Sequence, residues 1–132
     1  MQINRCINGE IELNQLMDFQ TFASVVVNPK EQVKVSLEDS IWTMTSVAIV
    51  VKDDLPKEGR VVLYVSNYDE KGEIGKKIAI APLRVCECEV INIDLQTYGP
   101  IVFSTEGADI SVSISGCTSR SYPLIVERTP IQ

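Results

Sequence analysis

The stretch from Asp109 to Gly116, DISVSISG, alternates apolar and polar residues until a glycine ends it. A period of two belongs to an extended chain, because successive side chains of a strand point to opposite faces of its sheet. Ile110, Val112 and Ile114 therefore share one face and the serines share the other. The signal recurs along the chain. VKVSL (Val33 to Leu37) and KIAIAPL (through Ile78 and Ile80) alternate, as does VINIDLQ (through Ile91, Ile93 and Leu95). IWTMTSVAIVV (Ile41 to Val51), RVVLYVSNY (Arg60 to Tyr68) and IVFS (Ile101 to Ser104) are rich in β-branched and aromatic residues. YPLIV, near the end, is a further candidate strand. Between these runs lie NPKE, LEDS, DDLPKEG, DEKGEIG, TYGP and TEG. Each contains Gly, Pro, Asn or Asp, the residues that turns demand. Many short strands at regular spacing predict an all-β sandwich or barrel. The N-terminal segment EIELNQLMDF reads either as a short helix or, with Asn8-Gly9 at a turn centre, as part of a hairpin.

At 132 residues the chain suits one domain, and it is long enough to build a core without disulfides or metal. No apolar run reaches the length of a membrane span, so no membrane partner is expected. No signal peptide is read at the N-terminus. The formal net charge is −6, which disfavours direct contact with nucleic-acid phosphates and suits a basic protein partner. Reduced thiols are expected for Cys6, Cys86, Cys88 and Cys117, as buried or half-buried groups. The one-residue gap in Cys86-Glu87-Cys88 breaks the usual zinc spacing, and the chain has no histidine, so no metal is expected.

The same lack of histidine excludes Ser-His-Asp and Cys-His catalysis within this chain. GEIGKK lacks the spacing and the following hydroxyl of a phosphate loop. The carboxylate pairs Glu38-Asp39, Asp53-Asp54 and Asp69-Glu70 all fall in turns, with no nucleophile and base beside them. No catalytic residue and no cofactor is expected, and the chain reads as a non-enzyme.

Taken in order, the strands and turns resemble the nucleoplasmin-like domain. That domain occurs in the nucleoplasmin and nucleophosmin histone chaperones, at the N-terminus of nuclear FKBP-type prolyl isomerases and in plant HD2-type proteins. FASVVVNPKEQVKV, from Phe22 to Val35, is similar to its aromatic-led opening, with Ala23 where the family has glycine and with the tryptophan missing. VKDDLPKEGRVVLYV resembles the family's Ala-Lys-Asp-Glu loop and the Val-rich strand after it. NYDEKGE resembles the Asn-Tyr-Glu-Gly turn, and IAIAPLR the short strand ending in Leu and a basic residue. Val112, Ile114, Ser115 and Gly116 hold the closing Val-x-Ile-Ser-Gly positions. The resemblance covers residues 22–117, leaving 1–21 as an N-terminal extension and 118–132 as a C-terminal segment.

The resemblance implies an eight-stranded jelly-roll sandwich that assembles as a ring of five. SVAIVV and VVLYV are apolar on both faces, which agrees with a second face buried against another subunit or under another part of the chain. Val50, Val62 and Tyr64 are the candidate contact residues. The implied function is a non-catalytic, nuclear or nucleolar platform that binds basic histones, of either core pair or both. It could stand at the N-terminus of an FKBP-type isomerase. The candidate histone-binding carboxylates are Glu38, Asp39, Asp53, Asp54, Asp69, Glu70 and Glu73, with Glu38 and Asp39 foremost. Two other readings of a jelly roll stand beside it: a capsid-like assembly subunit, and a carbohydrate-binding sandwich using Trp42, Tyr68 or Tyr98.

Overall fold

The computed structural model describes residues 21–120 and 123–131. The N-terminal helix-or-hairpin segment and Cys6 lie outside the described residues. Nine strands follow one another: β1 (Thr21–Val27), β2 (Glu31–Ser36), β3 (Trp42–Ile49), β4 (Arg60–Asn67), β5 (Ile78–Arg84), β6 (Val90–Thr97), β7 (Ile101–Gly107), β8 (Val112–Thr118) and β9 (Ile125–Pro130). They form two antiparallel sheets, a four-stranded one in the order β1-β8-β3-β6 and a five-stranded one in the order β5-β4-β7-β2-β9.

The register carries the period-two pattern into the core. Val25, Ile114, Val47 and Ile91 stand opposite one another across the four-stranded sheet. Val33, Phe103 and Val65 do the same across the five-stranded sheet. Paired residues of an antiparallel ladder face the same side, so these rows point inward together. Trp42 is fully buried, its ring meeting that of Phe103 edge-to-face at 6.1 Å. Its indole N–H donates to the Ala23 carbonyl at 3.4 Å, which satisfies the one polar group the ring carries inside.

β3 does not alternate throughout, and its register shifts between Met44 and Ser46 against both neighbours. The irregularity lets Trp42 and Met44, then Val47 and Ile49, all face the core. That is why IWTMTSVAIVV reads as apolar on both faces: part of the signal is a change of phase. Gly116 sits where β8 presses on β3, and a Cβ there would lie 1.9 Å from the Thr43 carbonyl oxygen.

Among the described residues nine strands stand where eight are expected. The added β9 starts inside YPLIV but runs on through Glu127, Arg128 and Thr129 to Pro130. All six of its residues are exposed, so no alternation marks it. It is held by its ladder to β2, from Glu31↔Pro130 to Ser36↔Ile125. Arg128 adds a clamp, donating to the Val26 carbonyl of the facing sheet at 2.7 Å and to the Glu31 carboxylate. Pro82 and Pro130 fall on β5 and β9, the outer strands of their sheet, where proline is tolerated because one side of the strand makes no ladder.

Candidate functional site

The pairing sorts the loops into two ends. Trp42 of β3 meets Thr118 and Thr97, and Asn67 of β4 meets Ile101. The β2–β3 loop, the β4–β5 hairpin, the β6–β7 turn and the chain after β8 therefore emerge together. Ile49 meets Val112, and Val61 meets Gly107. The β1–β2 turn, the β3–β4 loop, the β5–β6 turn and the β7–β8 turn form the opposite end.

Glu38, Asp39, Asp69, Glu70 and Glu73 all belong to the first end, and all are exposed. Their loops spring from β2 and β4, strands that flank β7 and so lie about 10 Å apart at two strand spacings. The base of the hairpin leans toward β2, where the Lys34 ammonium lies 5.3 Å from the Tyr68 ring centre. Asp69 is the organiser of its own hairpin. Its Oδ1 accepts the N–H groups of Lys71 and Glu73, each at 2.9 Å, and Gly72 supplies the left-handed residue with φ 78°. Glu70 and Glu73 extend from that tip. Neither they nor Glu38 and Asp39 form an ion pair with another described residue.

The frame under Glu38 and Asp39 is a small hydroxyl network. The Ser119 hydroxyl accepts the Ile41 N–H at 2.9 Å, and Ser119 N–H donates to the Ile41 carbonyl at 2.8 Å. Ser40 is buried, and its hydroxyl accepts the Arg120 N–H at 3.3 Å. Asp39 takes a left-handed backbone, φ 51°, a conformation that aspartate tolerates better than most residues. Beside it a shallow groove of about 570 Å³ is lined by Asp39, Ser40, Ile41, Tyr98, Ser119 and Arg120. Ile41, Ser119 and Arg120 were not singled out in the sequence. They converge only through the β3–β8 ladder, which joins residues some 78 positions apart.

Asp53 and Asp54 belong to the other end. They lie on the loop between β3 and β4, in the same segment as Lys52 and Lys57. A recess beside them is lined in part by Lys52, Asp54, Asp109 and Pro29 of the β1–β2 turn, whose next residue is Lys30. The seven candidate carboxylates thus divide into five at one end and two at the other.

The candidate contact residues take different positions. Val62 and Tyr64 lie on the outer face of the five-stranded sheet, opposite Glu106 and Ser104 of β7. Val62 is only 8% exposed, and Tyr64 is half-buried under the Lys77 side chain, which lies over its ring and pairs with Glu106 at 2.6 Å. Part of that second apolar face is therefore covered by the chain itself. Val50 is half-buried just beyond β3. Trp42 is a core residue and offers no platform to a sugar, whereas Tyr98 is 79% exposed. The expectation of buried or half-buried thiols holds for Cys117 but not for Cys86 and Cys88, which are exposed. They sit on the β5–β6 turn, where only Val85 points inward.

No protein-family model and no curated protein matches the sequence. Solved structures do match. The chain is similar to the core of Drosophila NLP, whose structure provides insight into pentamer formation and histone binding. The likeness has a TM-score of 0.59 and 18% identity, and covers 74% of this chain and 97% of the other. It is also similar to the nucleoplasmin-like N-terminal domain of Drosophila FKBP39, with a TM-score of 0.53 and 22% identity over 75% of this chain and 88% of that one. The fold implied by the order of strands and turns is the fold present: an all-β, nucleoplasmin-like sandwich.

Proposed function

We propose that this chain is a non-catalytic, self-assembling platform that binds basic histones through the acidic loops of its first end. The observation that carries the reading is topological. The fold brings the β2–β3 loop and the β4–β5 hairpin to one end, and with them five of the seven candidate carboxylates. The fold itself supports the reading, since NLP shares it. Clustered carboxylates would neutralise lysines and arginines of the histone and keep them from unwanted contacts with DNA, while their charge keeps the platform itself off nucleic acid. Such a chaperone works in the nucleus, and either core-histone pair carries the basic charge required.

Five copies in a ring complete the proposal. One exposed ion pair contributes about 0–1 kcal/mol, so a single copy binds weakly. Repetition around a ring raises the effective concentration and lets weak contacts accumulate. Val50, Val62 and Tyr64 remain the proposed contact between copies. Because Val62 is nearly covered already, Tyr64 and the exposed rim around it are expected to give the larger share of new burial.

The test is retention of core histones by the purified chain at about 50 mM salt, where attraction is weakly screened, together with its mass by light scattering. The expected results are retention that fades as salt rises and a mass near five times the 14.7 kDa chain. A monomer that retains no histone contradicts the reading.

A further inference from the structure

The β5–β6 turn carries two thiols separated by one residue, and both are exposed. The turn is tightly closed. The Arg84 carbonyl accepts the N–H of Glu87 at 3.2 Å and that of Cys88 at 2.9 Å, and Arg84 N–H returns to the Cys88 carbonyl at 2.8 Å. Val85 is buried, and its N–H donates to the Gly59 carbonyl at 3.0 Å, which pins the turn to the body of the sandwich. Cys86 N–H donates to the Glu89 carboxylate at 2.7 Å. Cys86 itself has φ 68°, a left-handed conformation that a residue with a side chain rarely adopts.

This geometry suits bond formation between the two sulfurs. Residues two apart in a fully extended chain have Cα atoms about 7 Å apart, just beyond the disulfide range of about 4.4–6.8 Å. A turn closed by two N–H groups on one carbonyl is contracted relative to that limit. Both cysteines are exposed, within reach of a soluble reactant. Among the described residues no group of three His, Cys, Asp or Glu side chains is placed to hold a metal ion, so no described third ligand stands with the pair.

We propose that Cys86 and Cys88 are a reversible dithiol–disulfide pair that takes a small-molecule disulfide, such as oxidised glutathione, as its oxidant. One thiolate attacks a sulfur of the oxidant and expels one glutathione thiolate, leaving a mixed disulfide. The second thiolate attacks the protein sulfur of that intermediate and expels the other. The two protein thiols lose two electrons and two protons, and the oxidant becomes two thiols. An exposed disulfide in so small a ring is of the labile kind that thiol reductants reopen. Closing it removes the S–H that Cys86 directs at the Lys57 carbonyl at 3.8 Å. The redox state of the turn is therefore coupled to the loop that holds Asp53 and Asp54.

The test treats the folded, reduced chain with oxidised glutathione and maps the products by peptide mass. The expected product is a peptide containing Cys86 and Cys88 that has lost two hydrogens and carries no glutathione, and that a thiol reductant restores. C86S and C88S are exposed, near-isosteric changes, and circular dichroism checks that each still gives the sheet spectrum. Each is expected to convert the product into one glutathione adduct on the remaining thiol. Two adducts on the unaltered peptide, disulfides linking two chains, or no reaction at either thiol would overturn the proposal.

Discussion

The two ends of the sandwich are built from the same material and arranged differently. Each presents exposed carboxylates on loops between strands. At the first end, Glu38, Asp39, Glu70 and Glu73 project from loops stiffened from beneath, by the Ser40–Ser119 network and by the Asp69 carboxylate. At the other end, Asp53 and Asp54 share one loop with Lys52 and Lys57, and Lys30 stands on the adjoining turn. The first end has cations too, Lys71 and Lys76 on its hairpin and Arg120 beside Asp39, but its carboxylates come from two separate loops. A count of acidic residues therefore does not locate a site for a basic partner. Both ends have lysines among their carboxylates, so convergence from separate loops is what sets the first end apart as a source of negative field.

The largest expected effect comes from removing the foundation of the first end. Trp42→Ala empties a fully buried site beneath the β2–β3 loop and takes away the Phe103 contact. Chemical denaturation should show a loss of about 3–5 kcal/mol. A loss below about 1 kcal/mol would mean that the loop rests on something else.

Next comes the hairpin tip. Asp69→Ala leaves the N–H groups of Lys71 and Glu73 without their acceptor. Both can turn to water, so the global loss should stay near 1 kcal/mol. Amide exchange at Lys71 and Glu73 should nevertheless quicken well beyond that at Asp54, which reports the other end. Equal exchange at the two ends would erase the difference in stiffness.

An effect of similar size is expected where β9 forms the edge of its sheet. Arg128→Ala removes the clamp on Val26 and Glu31, a pair that is partly exposed on the arginine side. About 1 kcal/mol should be lost, with protection falling along β9 and not along β4. The smallest effect is expected for Lys77→Met. Its pair with Glu106 is about half exposed, so the change should stay within about 0–1 kcal/mol.

How much of this was legible in the sequence follows from where each signal resides. Strands with one buried face were plain: the alternation through Val112 and Ile114 puts both residues fully inside. The turns were plain wherever Gly, Pro, Asn or Asp forced the chain to bend, as at Asp69 to Gly72. β9 was blurred because none of its residues is buried, so its run of Glu, Arg, Thr and Pro leaves no period to read. The phase change at Met44 to Ser46 was invisible, since a bulge imitates a strand apolar on both faces. The exposure of Cys86 and Cys88 could not be read from residue type, because a thiol's usual preference for the interior yields to its place on a turn. The division of the carboxylates between ends depends on strand order, which no local pattern encodes.

A titration of charge-neutralised variants sets the two ends against each other as binding surfaces. One variant combines E38Q, E70Q and E73Q with Asp39→Asn, and the other combines Asp53→Asn with Asp54→Asn. Both keep the side-chain size and remove charge only at exposed positions. Core-histone binding is titrated for each at several salt concentrations, alongside the unaltered chain. Neutralising the first end is expected to weaken binding about tenfold or more and to flatten its salt dependence, while the second variant stays within about twofold. Equal losses from both variants, or binding indifferent to the first, would contradict that expectation.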